Sequence, residues 1–472
     1  MTARPTPAVL PTEIAVVNVG LQLFADAVET QGRPAAQLDW RIPAGGDVRL
    51  IRALTTLLGD HAARIDAANA EVFRRLDTGV PLWTAVATAG DVLPDVDRRT
   101  LLHCGPAIEW PDVCDPLRRS MRAATVAEGW AADPAEADAL LRAGRVHLEP
   151  ANLHDTVLPM ATALGPSMPV LVVDNQAGGT RAFSAINQGS GNVAWFGRET
   201  EAAIARLRFL RDVAGPLLAA AVAQSGPVDV LSLAAQGLAM GDDVHMRTQA
   251  STNLLIRHLL PQLVAASGAA AVELGRFLSA NHLFFLNLAM AAAKSLTMWA
   301  EQVNDSSIVT TMARNGTTFG VRLAGSSTWF LAPAPEIGDA LYNPGFGSDS
   351  GARDIGDSAV LELIGLGGAA AAGSPAVAAF LGGTMAGAAE VTENMADICH
   401  GESSRFKLPT LDMRGTPVGV DARLIAKLSQ TPKVNTGILH ASAGTGQVGA
   451  GVATAPLDCF TDAVLGLAEH LT

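Results

Sequence analysis

The chain has 472 residues, 49% of them hydrophobic, enough at roughly 150 residues per domain for two to four globular domains. A net charge of -13 leaves no basic face for a nucleic-acid backbone, and any anionic ligand must be drawn by a local cluster of cations. The four cysteines, Cys104, Cys114, Cys399 and Cys459, lack CxxC spacing and are too sparse for a disulfide scaffold, which makes buried free thiols the expectation.

In chain order, prolines at positions 5, 7 and 11 break the N-terminus and no apolar run precedes a cleavage site, so a cytoplasmic location is expected. Glu13 to Val17 reads as a strand, Asn18-Val19-Gly20 as a turn, Leu21 to Thr30 as an amphipathic helix and Ala35 to Trp40 as a second strand. This βαβ opening is Rossmann-like: Asn18 and Gly20 sit where free N–H groups at a helix start favour anions, and Asp39 sits where a dinucleotide fold keeps its ribose-binding acid. Only one glycine occupies the turn, so the GxGxxG fingerprint is missing.

Strands at Thr100 to Cys104 and Met168 to Asp174, with a helix at Leu117 to Trp130, continue the alternation and predict a mostly parallel α/β sheet. From Glu199 to about Ala300 the pattern is helical, and beyond it short strands and glycine-rich turns suggest an α+β unit. The expected domains are 1–190, Rossmann-like α/β; 191–300, mainly helical; and 301–472, α+β. Gly367 to Ala389 is long enough for a bilayer, but its Ala and Gly content and central Ser374-Pro375 favour a tightly packed buried pair.

Four places carry polar chemistry. Gly241 to Arg247 reads as the opening of a long helix, where Asp242 and His245 at i,i+3 share a face and the carboxylate sets the imidazole tautomer; Arg247 adds a guanidinium, and the alternative is that Asp242 and Asp243 cap the helix. One His beside one Asp offers too few ligands for a metal. Residues 304–330 place Arg314, Asn315 and Arg322 on two strands joined at Asn315-Gly316, a hairpin signal, and either form an anion pocket or brace a sheet edge. Asp354, Asp357 and Glu362 follow in DIGDSAVLELIGLGG, the aspartates as candidate caps. Finally Asn435, Thr436 and His440 lead into a glycine-rich run whose Gly444, Gly446 and Gly449 match GxGxxG only literally, since too little chain follows for a dinucleotide unit.

NVGLQLFADAVETQGRPAAQLDWRIPAGGD, GPSMPVLVVDN, GDDVHMRTQAST, the 304–330 segment, DIGDSAVLELIGLGG and NTGILHASAGTGQVGAG together resemble the YlbE family, encoded beside FdrA-like proteins in bacteria. The resemblance covers nearly the whole chain and implies a Rossmann-like N-terminal domain followed by helical and α+β domains. It implies a carbamoyltransferase subunit that interconverts oxamate plus carbamoyl phosphate with oxalurate plus phosphate, with an FdrA-like partner subunit. A homo-oligomer without cofactor, nucleic-acid or membrane partner is expected. Two places depart from the family pattern: Met246 stands where Asn is more usual, and the loop from Ala334 to Arg353 is atypical.

Such chemistry needs cations for phosphate, a donor for the carbamoyl carbonyl and a clamp for the acceptor carboxylate. Arg314 and Arg322 suit the anionic ends and Asn315 an amide; His245 held by Asp242, or His440, would donate to the carbonyl or handle the acceptor proton. Arg247, Asn435 and Thr436 are further substrate-binding candidates, and Asn18 with Gly20 suits a second ligand. The leading expectation places Arg314, Arg322, His245 and His440 in one cradle. The alternatives are a non-catalytic scaffold subunit, a hydrolase of a small ureido or amide compound, and an NAD-dependent oxidoreductase.

Overall fold

The computed structural model describes residues 16–38, 42–93, 96, 98–381 and 383–472; Asp39 lies outside them. Strand β1 (Val16–Val19), helix α1 (Gln22–Thr30) and β2 (Ala35–Leu38) form a βαβ unit with parallel strands, Val16 opposite Ala35. Its side chains Val17, Leu21, Leu23 and Phe24 are exposed. Asp47 then caps α2 (Val48–Leu58) by accepting from the N–H groups of Arg49 and Leu50, and Leu50, Ala53, Leu54 and Leu57 bury the face that this spacing creates.

Helix α3 (Ala62–Thr78) leads to β3 (Pro81–Thr88), the one-turn α4 (Ala89–Val92) and β4 (Thr100–His103). Helices α5 (Asp115–Ala127) and α6 (Pro134–Arg142) precede β5 (His147–Pro150), β6 (Thr156–Val157), β7 (Ala163–Leu164), β8 (Pro169–Asn175) and β9 (Thr180–Ala185). The helical stretch comprises α7 (Glu201–Phe209), α8 (Gly215–Ser225), α9 (Val230–Ala239) after the short β10 (Val228–Asp229), α10 (Gln249–Ala265), α11 (Ala269–Ala280) and α12 (Phe284–Ala300). The remainder holds β11 (Val309–Asn315), β12 (Thr318–Leu323), β13 (Phe330–Pro333), β14 (Asp339–Tyr342), β15 (Ile355–Gly356), α13 (Pro375–Phe380), α14 (Met385–Asp397), β16 (Cys399–Leu408), β17 (Arg414–Val420), α15 (Ala422–Leu428), β18 (Lys433–Leu439), β19 (Gln447–Thr454) and α16 (Leu457–Leu471).

The fold is mixed α/β with several small sheets. The expected mostly parallel sheet is a correction: parallel pairing is confined to β1/β2, β4/β5 and β6/β9, whereas the five-stranded sheet, ordered β10-β3-β8-β9-β6, is antiparallel at its other three junctions. Only a tight turn separates β8 from β9, too short for a parallel crossover. Helix α12 crosses this sheet and is buried at every position except Met298 and Trp299, which explains why its sequence is largely apolar, with Asn287 and Lys294 as buried exceptions. Its intruding Asn287 donates to Ala185 O at 2.7 Å and accepts from Asn187, stapling the helix to the chain leaving β9. Among the described residues no single helix is long and apolar enough to cross a membrane; Gly367–Gly373 is buried in 3-10 turns ahead of α13 and α14.

All four cysteines are free, and burial pushes the Cys114 thiol up to about 11. His103, at the end of β4, is fully buried with Nδ1 2.8 Å from Cys104 O, and desolvation holds its imidazole down at about 4. The unfolded chain takes this proton near 6.5, so stability is lost as pH falls from about 6.5 to about 4 and is unaffected by this group above that window. Denaturant titrations at pH 7 and 4.5 should show His103→Gln with a smaller acid loss than the parent, by roughly 2–3 kcal/mol; equal losses would show that another group carries the acid sensitivity.

Candidate functional site

His245 sits in an irregular turn. Gly241 and Val244 have φ of 96° and 64°, and α10 begins only at Gln249. Asp242 folds forward to accept from Ala250 N, Ser251 N and Ser251 Oγ at 2.8–3.1 Å, capping α10; burial raises its carboxyl while these bonds oppose the rise. The expected Asp242–His245 pair is therefore not formed, because no helix exists there to put both side chains on one face. Asp243 binds Met246 N and Arg247 N within the turn and takes a 2.6 Å bond from Asn435 Nδ2 on β18.

The partner of His245 is Glu362, whose Oε1 lies 2.7 Å from Nδ1; the two side chains are 4% and 0% exposed. Since a carboxylate only accepts, this contact assigns the proton to Nδ1, and the neutral ring carries its lone pair on Nε2. Oε1 also accepts from Gly368 N and Asn435 N, both at 3.2 Å. Gly367 makes room for the pair: its φ is 59°, and a Cβ there would lie 2.1 Å from Glu362 Oε1 and 3.0 Å from His245 Nδ1.

The imidazole borders a cavity of about 40 Å³, room for a small planar molecule. Trp195, Phe196, Leu283 and Leu286 form its apolar wall; Ser358, Thr436 and Gln447 join His245 on the polar side. Behind the ring, Glu362 Oε2 and Asn435 Oδ1 are buried without a donor among the described residues. The unmet hydrogen-bonding capacity behind the ring is thus acceptor in character.

The expected cradle of two arginines and two histidines is not assembled. Arg314, fully buried, is used up by Asp354 (Nε–Oδ2 2.8 Å, Nη2–Oδ1 2.9 Å) and by Gly356 O. The neighbouring Asp357 accepts from Gly105 N and Leu158 N, and burial pushes its carboxyl up to about 6. Asn315 closes the β11–β12 hairpin, its Oδ1 accepting from Thr317 N and Thr318 N, as the Asn-Gly signal anticipated. Arg322 lies over Trp329, 3.8 Å from Glu301 and in weak contact with Ser326 O.

His440 Nδ1 accepts from Ser442 N and Ala443 N, with Phe346 edge-on to the ring, and Arg247 Nη1 donates to Gly241 O. Asn18 is exposed and bonded to Leu21 O and Gln37, in a unit that lines no part of the cavity; Gly20 beside it faces open space. The glycine run is a hairpin connection between β18 and β19, held by Arg119 on Ser442 O and Arg198 on Thr445 O. Of the residues singled out as functional, His245 and Thr436 border the cavity and Asn435 stands directly behind it. Glu362 was legible only as a carboxylate in a conspicuous motif.

A mixed α/β protein built around a small buried histidine–carboxylate site is the class that this geometry defines. The chain belongs to the family described as oxamate carbamoyltransferase subunit AllG, which it matches over residues 146–358, in agreement with the resemblance read from its sequence. It is similar to the oxamate carbamoyltransferase subunit AllG of Escherichia coli, 39% identical over 410 residues that cover 86% of this chain and 98% of that one. It is also 34% identical to the uncharacterized protein YahG of the same organism over 459 residues, 96% and 97% of the two chains. The crystal structure of a conserved protein of unknown function from Enterococcus faecalis superimposes with a TM-score of 0.84 at 33% identity, covering 87% of this chain and 99% of that one.

Two substitutions probe this frame. Arg314→Met strands Asp354 in the interior and should lower stability by roughly 3–5 kcal/mol in denaturant titrations, while adding Asp354→Leu should restore most of it. Gly367→Ala should cost about 1–3 kcal/mol and shift the His245 Nδ1 resonance in ¹⁵N spectra; an unmoved resonance would mean that the dyad does not depend on this glycine.

Proposed function

We propose that this chain is a subunit of a carbamoyltransferase that moves a carbamoyl group between carbamoyl phosphate and a small amide such as oxamate, and that its His245 cavity receives the amide. The observation that carries this reading is the buried Glu362–His245 contact at the edge of a cavity of matching size. Supporting it is the 39% identity to the oxamate carbamoyltransferase subunit of Escherichia coli. With Nδ1–H held by Glu362, Nε2 is the base that accepts the proton of the amide nitrogen as that nitrogen attacks the carbamoyl carbon; the C–O bond to phosphate breaks and phosphate leaves with its electron pair. Glu362 stabilises the imidazolium so formed. Ser358, Thr436 and Gln447 on the cavity wall offer polar groups to an amide or ureido ligand.

None of the residues lining the cavity is an arginine or lysine. The charge that meets the phosphate therefore comes from outside it, which supports an enzyme completed by a partner subunit of the FdrA-like kind. The same feature keeps a scaffold role as the second reading.

The test is oxalurate phosphorolysis by the chain reconstituted with its FdrA-like partner, following release of carbamoyl phosphate. His245→Gln should lower kcat by roughly 10²–10⁴-fold with a smaller change in KM, and Glu362→Gln should lower it less. Full turnover by His245→Gln in an intact complex would leave the scaffold role in its place.

A further inference from the structure

Helices α7 and α11 face each other across an open cleft of about 730 Å³ that is separate from the His245 cavity. Arg206 of α7 and Arg276 of α11 both line it, and neither guanidinium has a hydrogen-bond or ion-pair partner among the described residues. Elsewhere on this acidic chain buried and half-buried arginines are spent on carboxylates or carbonyls, as Arg314, Arg119 and Arg122 are. Arg206 instead lies against a pair of aromatic rings that meet edge-on at 67°, its guanidinium carbon 5.7 Å from the centre of Phe209 and 5.1 Å from that of Phe277. These contacts engage the ring faces and consume none of the guanidinium's hydrogen bonds, so its N–H groups remain available to an oxyanion.

A second, independent feature lies in the same wall. Asn281, 2% exposed, donates Nδ2 to Asn187 O at 3.3 Å but leaves Oδ1 without a donor. Gly189, with φ of 77°, closes the floor; a Cβ there would stand 3.6 Å from both the Asn281 amide carbon and Phe277. Glu273 also lines the cleft and faces Arg206, so two guanidiniums and one carboxylate leave one net positive charge on a protein that carries -13 overall.

We propose that this cleft binds a small oxyanion, a phosphate or carboxylate, clamped by Arg206 and Arg276, with an N–H or O–H of the ligand satisfying Asn281 Oδ1. The site is not isolated from the first: Trp195, which lines the His245 cavity, donates Nε1 to Gly189 O at 2.8 Å. One hydrogen bond thus joins the floor of the cleft to the wall of the cavity. The proposal does not rest on carbamoyl transfer, since it concerns different residues and is read by binding alone.

The experiment is calorimetric titration of the purified full chain with inorganic phosphate and, in a second arm, with glycolate, a carboxylate that bears an O–H and is no amide, each against chloride at matched ionic strength. The expected result is saturable binding of at least one of the two, weakened about tenfold or more by Arg206→Gln and by the exposed Arg276→Gln, and unchanged in His245→Gln. Circular dichroism establishes that each variant is folded, and Arg276→Gln keeps the test decisive should Arg206→Gln misfold. Heats no larger than those of chloride, or affinities unaltered in both arginine variants, overturn the proposal. Loss of binding in His245→Gln alone would also overturn it, by assigning the anion to the other cavity. Phosphate binding that survives while every His245 variant turns over normally would separate failure of the transferase reading from failure of this one.

Discussion

The interaction on which the site depends is the buried pair between Arg314 and Asp354. An unsolvated guanidinium is tolerated only if its nitrogens find oxygen partners, and here the carboxylate and the carbonyl of Gly356 supply one to each of the three. That requirement pins the start of the 354–362 segment against β11. Asp357 then takes the N–H groups of Gly105 and Leu158, fixing the segment to two further loops. Glu362, a few residues on, is thereby delivered to His245 with its position set by bonds made elsewhere. The charge at Arg314 acts on the site through geometry and contributes no contact with a ligand.

Much of the architecture was legible because the forces that set it are local. Asn315-Gly316 marks a hairpin, the apolar run of β8 marks a buried strand, and the prevailing hydrophobicity of α12 marks a helix enclosed on all sides. What escaped was whatever depends on partners distant in the chain. Arg314 reads as a free cation until Asp354, forty residues later, is brought to it. Asp242 and His245 read as a helical pair, yet the helix is nucleated by Asp242 reaching eight residues forward, which forces the turn and turns His245 away to a carboxylate 117 residues downstream. Local spacing cannot disclose such pairings, although DIGDSAVLELIGLGG held the missing residue in view.

Charge also redistributes meaning. A sequence poor in cations invites the expectation that those present gather around an anion, but the interior uses them to neutralise its own aspartates and glutamates. What is left beside His245 is a surplus of oxygen. No cation lines the cavity beside it, in keeping with a family described as a subunit.

Helix α12 has a consequence for how the molecule is made. Its central run, Ala289 and Ala291 to Ala293, presents small faces to strands and helices on every side, so the close approach of β8, β9 and α3 is set by the width of alanine. Such a helix has no solvated side on which to stand alone, and it cannot be a stable early intermediate; it must condense together with the sheet that encloses it. One added methylene in this run has no outward direction in which to relax, which makes the core intolerant of growth at its centre even where it would accept repacking at its margins.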